Sequence, residues 1–239
     1  MVFQMGILSG RTTYDRKQIL RAAAQARAKG KHKKAAELYR QVLAVEPENA
    51  ELHARIAPHL ALTCQDYDAW QSYRIAAHAH VFAKRPERAL AVYRDAARLL
   101  PRQIDAWKAI AKLEVRLGRK REALEVLLAG RRHFTGASYR AQAVSLLRLA
   151  RQIEPWDPVI LLDLSRTLAS NDQGYEALMI LEQLAARSEG GDLARVRGAQ
   201  WRITHSIGHA WQWLHATWSA LREGTWSENA SKTAEDPSL

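Results

Sequence analysis

The chain has 239 residues, 47% apolar and 26% charged, with a formal net charge of +11. These values suit a globular chain with a real core, and a single cysteine, Cys64, excludes an internal disulfide framework or a Cys-rich zinc motif. No apolar run approaches the roughly 18 residues that a transmembrane helix needs, and the opening MVFQMGIL is too short for a secretory h-region, so a cytoplasmic location is expected. The positive charge favours anionic partners, whether acidic protein segments, nucleic acid or anionic lipid. It equally suits an Ala- and Arg-rich helical protein kept soluble by its surface, a composition also typical of bacteria with GC-rich DNA.

In chain order, residues 1–15 read as a partly disordered segment. From there apolar residues recur at three- and four-residue spacing, in segments of about 12–17 residues separated by breaks carrying Gly, Pro, Asn or Asp. Ala, Leu, Arg, Glu and Gln dominate these segments and favour helix. Aligning GKHKKAAELYRQVLAVEP (30–47) with KRPERALAVYRDAARLLP (84–101) puts Ala35 over Ala89, Tyr39 over Tyr93 and Pro47 over Pro101. WKAIAKLEVRLGRKREALEVLLAG (107–130) supplies the other half of such a unit, with Trp107, Gly118 and Ala123, and with Leu127 in the place of the tyrosines. The small residues stand where two helices approach closely, the tyrosines fill the gap beside them, and the prolines end the second helices.

This pattern resembles the tetratricopeptide repeat, a 34-residue helix–turn–helix unit that buries its apolar face only by stacking on neighbours. In that frame four units cover 16–49, 70–103, 104–137 and 158–191, with Ala177 as the small residue of the last and the glycine of NDQG (171–174) slightly displaced. The segments 50–69 and 138–157 fall between units and each reads as a single extra helix, which reverses the edge that later turns occupy. Pro58 is expected to kink or shorten the first of them. A capping helix over 192–224 and a disordered polar tail over 225–239 complete an all-α solenoid of about eleven helices.

Catalytic signatures are absent: there is no Gly-rich phosphate loop, HExxH, nucleophile elbow or CxxC. Asp66 and Asp68, two apart, point different ways on a helix and suit a cap. His205 and His209 have a helical spacing that can present two imidazoles to one ion, but no third ligand follows, and His78 and His80 diverge. No catalytic residue, metal ligand or cofactor is expected.

The resemblance implies a non-catalytic adaptor that takes a partner segment in a groove lined by the first helix of each unit. Arg27, Arg74, Lys108, Lys112 and Arg166 are the candidate partner-binding residues, and they imply an acidic protein or peptide. The carboxylate clamp of one subset of the family is not carried over, because Leu20 and Ala24 occupy its first two places. A second candidate surface is the set of basic turns: Lys31, Lys33 and Lys34; Lys84, Arg85 and Arg88; and Arg119, Lys120 and Arg121. Aligned on one edge these would track a polyanion, either nucleic acid or an anionic membrane surface, although the helix at 50–69 can move the first turn to the other edge.

WRITHSIGHAWQWLHATW (201–218) holds four of the eight tryptophans and three of the nine histidines. On one continuous helix, Ile203, Ile207, Ala210, Trp211, Leu214, Trp218 and Leu221 share an arc of roughly 100°, which is the seam expected to cover the last repeat. Trp201 and Trp213 fall off that seam and are the candidate second contact, for a partner or for a homodimer through this helix.

Overall fold

The computed structural model describes residues 15–225, so the expected disorder of residues 1–14 and 226–239 lies outside the described residues. Among the described residues all regular structure is helical. The chain divides after Leu100 into two compact units.

The first unit contains α1 (Arg16–Ala28), α2 (His32–Leu43), α3 (Ala50–Leu62), α4 (Asp66–Phe82) and α5 (Pro86–Leu99). Each helix packs on the next and α3 also touches α5, so short turns make an antiparallel two-layer stack. The side chains of Asp15 and Asn49 cap α1 and α3 by accepting from Gln18 N and Leu52 N, each at 3.1 Å. α3 continues through Pro58 to Leu62.

Residues 50–69, expected as a lone insertion, instead supply α3 and the first turn of α4, and α3–α4 repeats α1–α2 at an offset of 34. Asn49 takes the place of Asp15, and Ala57, Ala69 and Tyr73 those of Ala23, Ala35 and Tyr39, all six core residues being buried. The turns match as well. Gly30 and Cys64 both have positive φ, of 66° and 58°. Lys31 N bonds Ala26 O and Gln65 N bonds Leu60 O, the six-residue closure of a Schellman-type end. The same closure recurs at Lys84 (Arg85 N to His80 O), Gly118 (Arg119 N to Glu114 O) and Asp172 (Gln173 N to Leu168 O). α4 therefore ends one helix pair and begins the next. In the 158–191 unit the left-handed residue is Asp172, so the displaced glycine of NDQG is not the turn residue.

The second unit contains α6 (Ile104–Arg116), α7 (Lys120–Arg131), a 3-10 turn (Ala137–Tyr139), α8 (Arg140–Ile153), α9 (Pro158–Ser170), α10 (Gly174–Ala185), α11 (Gly190–Thr204) and α12 (Ile207–Arg222). Successive helices pack again, and α6 touches α8 while α9 touches α11, which sets even-numbered helices on one layer and odd-numbered ones on the other. Trp107 lies against Gly130, where an added Cβ would stand 2.7 Å from the indole, so only glycine lets α6 and α7 approach this closely. The Trp107 Nε1–H donates to Pro101 O at 2.9 Å and its ring stacks on His133. The core continues through Leu147, Leu161, Leu164, Leu168, Ala177 and Leu181, all fully buried.

The single capping helix expected over 192–224 is two helices, which raises the count from about eleven to twelve among the described residues. His205 adopts the left-handed conformation (φ 50°) and ends α11, and Ser206 starts α12 by accepting from His209 N at 3.2 Å. A side-chain cap one residue after a left-handed residue is a strong stop-and-restart signal.

Candidate interaction site

On α6 the lysines at 108 and 112 are one turn apart, and Arg116 continues the same row another turn on. Lys112 and Arg116 are exposed, Lys108 is half-buried, and Val115 leaves an exposed apolar spot beside them. Among the described residues no ion pair holds Lys108 or Lys112. Several arginines of the same unit are neutralised: Arg131 meets Asp163 at 2.8 Å, Arg148 meets Glu176 at 2.7 Å, and Arg197 meets Glu182 at 3.4 Å. Asp105 stands one turn before Lys108 on this face without closing an ion pair to it, and a row of three cations against that one carboxylate suits an anionic segment laid along the helix.

The other candidate cations are not brought together. In the first unit Arg27 is on α1 and Arg74 on α4, helices of opposite layers, and Arg74 donates to Gln71 on its own helix. In the second unit Lys108 and Lys112 are on α6 while Arg166 is on α9, again in opposite layers. The reason is the packing order. Within each unit one further helix, α3 in the first and α8 in the second, stands between the two recognised pairs, so alternation sends their first helices to different layers.

The basic turns separate for the same reason. In the first unit Lys31, Lys33 and Lys34 lie at the α1–α2 end, where they line a shallow depression with Gly30, His32, Glu37, Leu62 and Thr63. Lys84, Arg85 and Arg88 lie at the α4–α5 end, opposite in an antiparallel stack. In the second unit Arg119 is 3.5 Å from the fully buried Glu114, and Arg121 pairs with Glu125 at 3.2 Å, leaving Lys120 exposed between them. Two of these three cations are thus occupied by structural partners.

Beside the first turn, His59 is buried against Tyr39, and its Nδ1 is 3.0 Å from His32 Nδ1. One of the two rings must carry the shared proton. Burial, then the charges of His32 and Arg27, hold His59 below the usual histidine range. Sequence reasoning missed this pair; its only trace is a histidine inside an apolar helix face. The Asp66 and Asp68 carboxylates lie in the first turn of α4, with Asp68 accepting from Arg40 at 3.1 Å. His205 and His209 are on opposite sides of the helix break, and His209 Nδ1 is hydrogen-bonded to Thr204 and Ser206. Among the described residues no cluster of three metal-ligating side chains occurs, and no helix is long and apolar enough to cross a membrane.

The aromatic segment reverses the helical-wheel expectation. Trp201 and Trp213, expected to be the free second contact, stack on each other with centroids 5.2 Å apart and planes within 3°. Trp213 also closes over Gly198, where an added Cβ would be 3.0 Å from the indole nitrogen. Ala216 and Ala220 complete the buried face of α12. Of the expected seam, Ile203 on α11 does pack on the core, but Ile207, Trp211, Leu214, Trp218 and Leu221 are between 53% and 88% exposed. The break at His205 rotates α12 relative to α11, so a wheel drawn through both assigns the wrong face.

No family model matches the chain, and no curated protein matches it. It is similar to a solved tetratricopeptide repeat protein from Parabacteroides merdae ATCC 43184, at 14% identity over 91% of this chain and 96% of that one, with a TM-score of 0.32. A thermophilic TPR protein in Thermus thermophilus is similar at 18% identity over 86% and 90%, with a TM-score of 0.32. PilW, described as a widely conserved type IV pilus biogenesis factor, is similar at 14% identity over 91% and 97%, with a TM-score of 0.33. The paired helices, the alanines buried at their crossings and the recurrent left-handed turn give this chain an all-α architecture of tetratricopeptide-like helix–turn–helix units.

Proposed function

We propose that the chain is a non-catalytic interaction module that binds an acidic segment of another protein along α6. The observation that carries this reading is the row Lys108, Lys112 and Arg116, in which neither lysine has an ion-pair partner among the described residues. A partner carboxylate spaced to the helix repeat would gain charge-assisted hydrogen bonds there. Arg27, Arg74 and Arg166 are assigned no share in this site: Arg166 is on α9, in the layer opposite α6, and Arg27 and Arg74 belong to the first unit. A cytoplasmic setting is consistent with the single exposed thiol of Cys64.

The rival reading, a polyanion binder using the basic turns, is weakened within the first unit by turns at opposite ends and within the second by the pairing of Arg119 and Arg121. A titration of the full chain with a fluorescent glutamate-rich peptide and with single-stranded DNA separates the two. The proposal requires peptide binding that Lys108→Glu with Lys112→Glu abolishes, and that Lys120→Glu with Lys33→Glu leaves intact. DNA binding that is stronger than peptide binding, collapses with salt and depends on Lys33 and Lys120 would replace it with the polyanion reading.

A further inference from the structure

α12 presents an apolar seam to solvent on the side away from α11. Ile207, Trp211, Leu214, Trp218 and Leu221 follow a 4-3-4-3 spacing, the alternation that keeps a stripe facing one partner helix. At 100° per residue they cover roughly 80°, while Trp213, Ala216 and Ala220 occupy the opposite face, packed on α11. Nothing in the proposed acidic-segment site uses this surface, so the inference stands independently of it.

We infer that this seam is the self-association surface of the chain, pairing antiparallel with α12 of a second copy. Three observations select that occupant. The seam reads nearly the same in both directions about Leu214: a tryptophan lies one turn to either side and an aliphatic residue two turns to either side. A two-fold operator then sets Trp211 beside Trp218 of the partner copy and Leu214 beside its counterpart, a self-complementary arrangement. The area fits as well. Two indoles of ~250 Å² each and three aliphatic side chains at these exposures present roughly 700 Å², against ~800 Å² per partner in a standard-size interface. Finally, the flanks are mostly small and carry one charge: Gly208, Ala210, His215 and Thr217 border the seam, and Arg222 beside its C-terminal end is the one Lys or Arg of α12. Small flanks leave room for a partner's indoles, whereas a membrane-surface helix is rich in lysine or arginine on its polar face. No charge pattern there asks for an acidic or basic ligand.

Sedimentation equilibrium of the full chain from about 1 to 100 µM tests this, the range in which an interface of this size is read. The expected result is a monomer–dimer equilibrium. Leu214→Glu, which sets two carboxylates against each other at the two-fold axis, and separately Trp218→Ser should each weaken it at least tenfold. Unchanged far-UV circular dichroism controls for folding, and Trp218→Ser is read alone if Leu214→Glu loses helix. Lys108→Glu with Lys112→Glu should leave the dimer intact. A monomer throughout the range overturns the inference, as does a dimer unaffected by both seam variants. So does a monomeric chain that binds phosphatidylserine-containing vesicles in a seam-dependent manner, which would assign the surface to a membrane.

Discussion

The helix pair α1–α2 and the pair α11–α12 have similar lengths and short connections, yet they are held by different means. In α1–α2 the contact is made by Ala23, Ala35 and Tyr39, small residues at the crossing and one ring beside it. The turn closes through Gly30, and α3–α4 repeats the whole arrangement with Ala57, Ala69, Tyr73 and Cys64. In α11–α12 the small residue is Gly198, the filling ring is Trp213, and the connection is a left-handed histidine followed by a serine cap. α11 is fixed from its other side by the buried Gln200, whose amide donates to Glu182 at 2.8 Å. Repeated pairs are therefore specified by a register shared with their neighbours, whereas the last pair is specified by one aromatic over one glycine. Among the described residues of its unit, α12 packs on α11 alone, which leaves its outer face uncovered by a neighbouring helix.

This contrast predicts different sensitivities. Enlarging a crossing alanine in the repeated pairs, as in Ala69→Leu, adds three carbons at a fully buried position and should cost about 3 kcal/mol in urea denaturation. Gly198→Ala should cost less, about 1–2 kcal/mol, because the group it meets is the movable end of the Trp213 side chain. Equal costs at the two sites would erase the distinction.

A pH titration sharpens it further. His59 belongs to the α2–α3 contact, and its proton affinity in the folded chain is held below its ordinary value of 6.5. The unfolded chain then binds more protons, so this contribution to stability is complete above pH 6.5 and is lost as pH falls toward the folded value. The midpoint of urea unfolding should fall on acidification from pH 7 to pH 5, and His59→Leu should flatten that part of the profile. The smallest effect is at the turns: Cys64→Gly and Lys84→Gly relieve side chains held at φ 58° and 55°, and each should raise stability by roughly 0.5–1 kcal/mol.

What could be read from residues alone follows the same division. Ala35, Tyr39 and Pro47 stand in a spacing that Ala89, Tyr93 and Pro101 repeat, so the paired-helix architecture was legible without coordinates. The pair α3–α4 escaped because its markers are disguised: Cys64 stands where glycine is expected, and Pro58 makes the helix look interrupted. The candidate cations were legible as residues but not as a site. Which layer a helix joins depends on the number of helices before it, and that count is a property of packing rather than of local spacing. At the C-terminal end, His205 carries no local sign of a left-handed backbone, although Ser206 is a good cap. A wheel continued through that junction reverses inside and outside.

The central claim is that Trp213 faces inward and Trp211 outward because the helix is broken at His205. The most direct measurement compares Trp213→Ala with Trp211→Ala by urea denaturation, both in a Leu214→Glu background so that self-association plays no part. The account predicts a loss of about 2 kcal/mol or more for Trp213→Ala, from removal of a packed ring, and less than about 0.5 kcal/mol for Trp211→Ala, as for an exposed surface residue. The reverse order, with Trp211 the costly substitution, is what a single unbroken capping helix requires and would contradict the account.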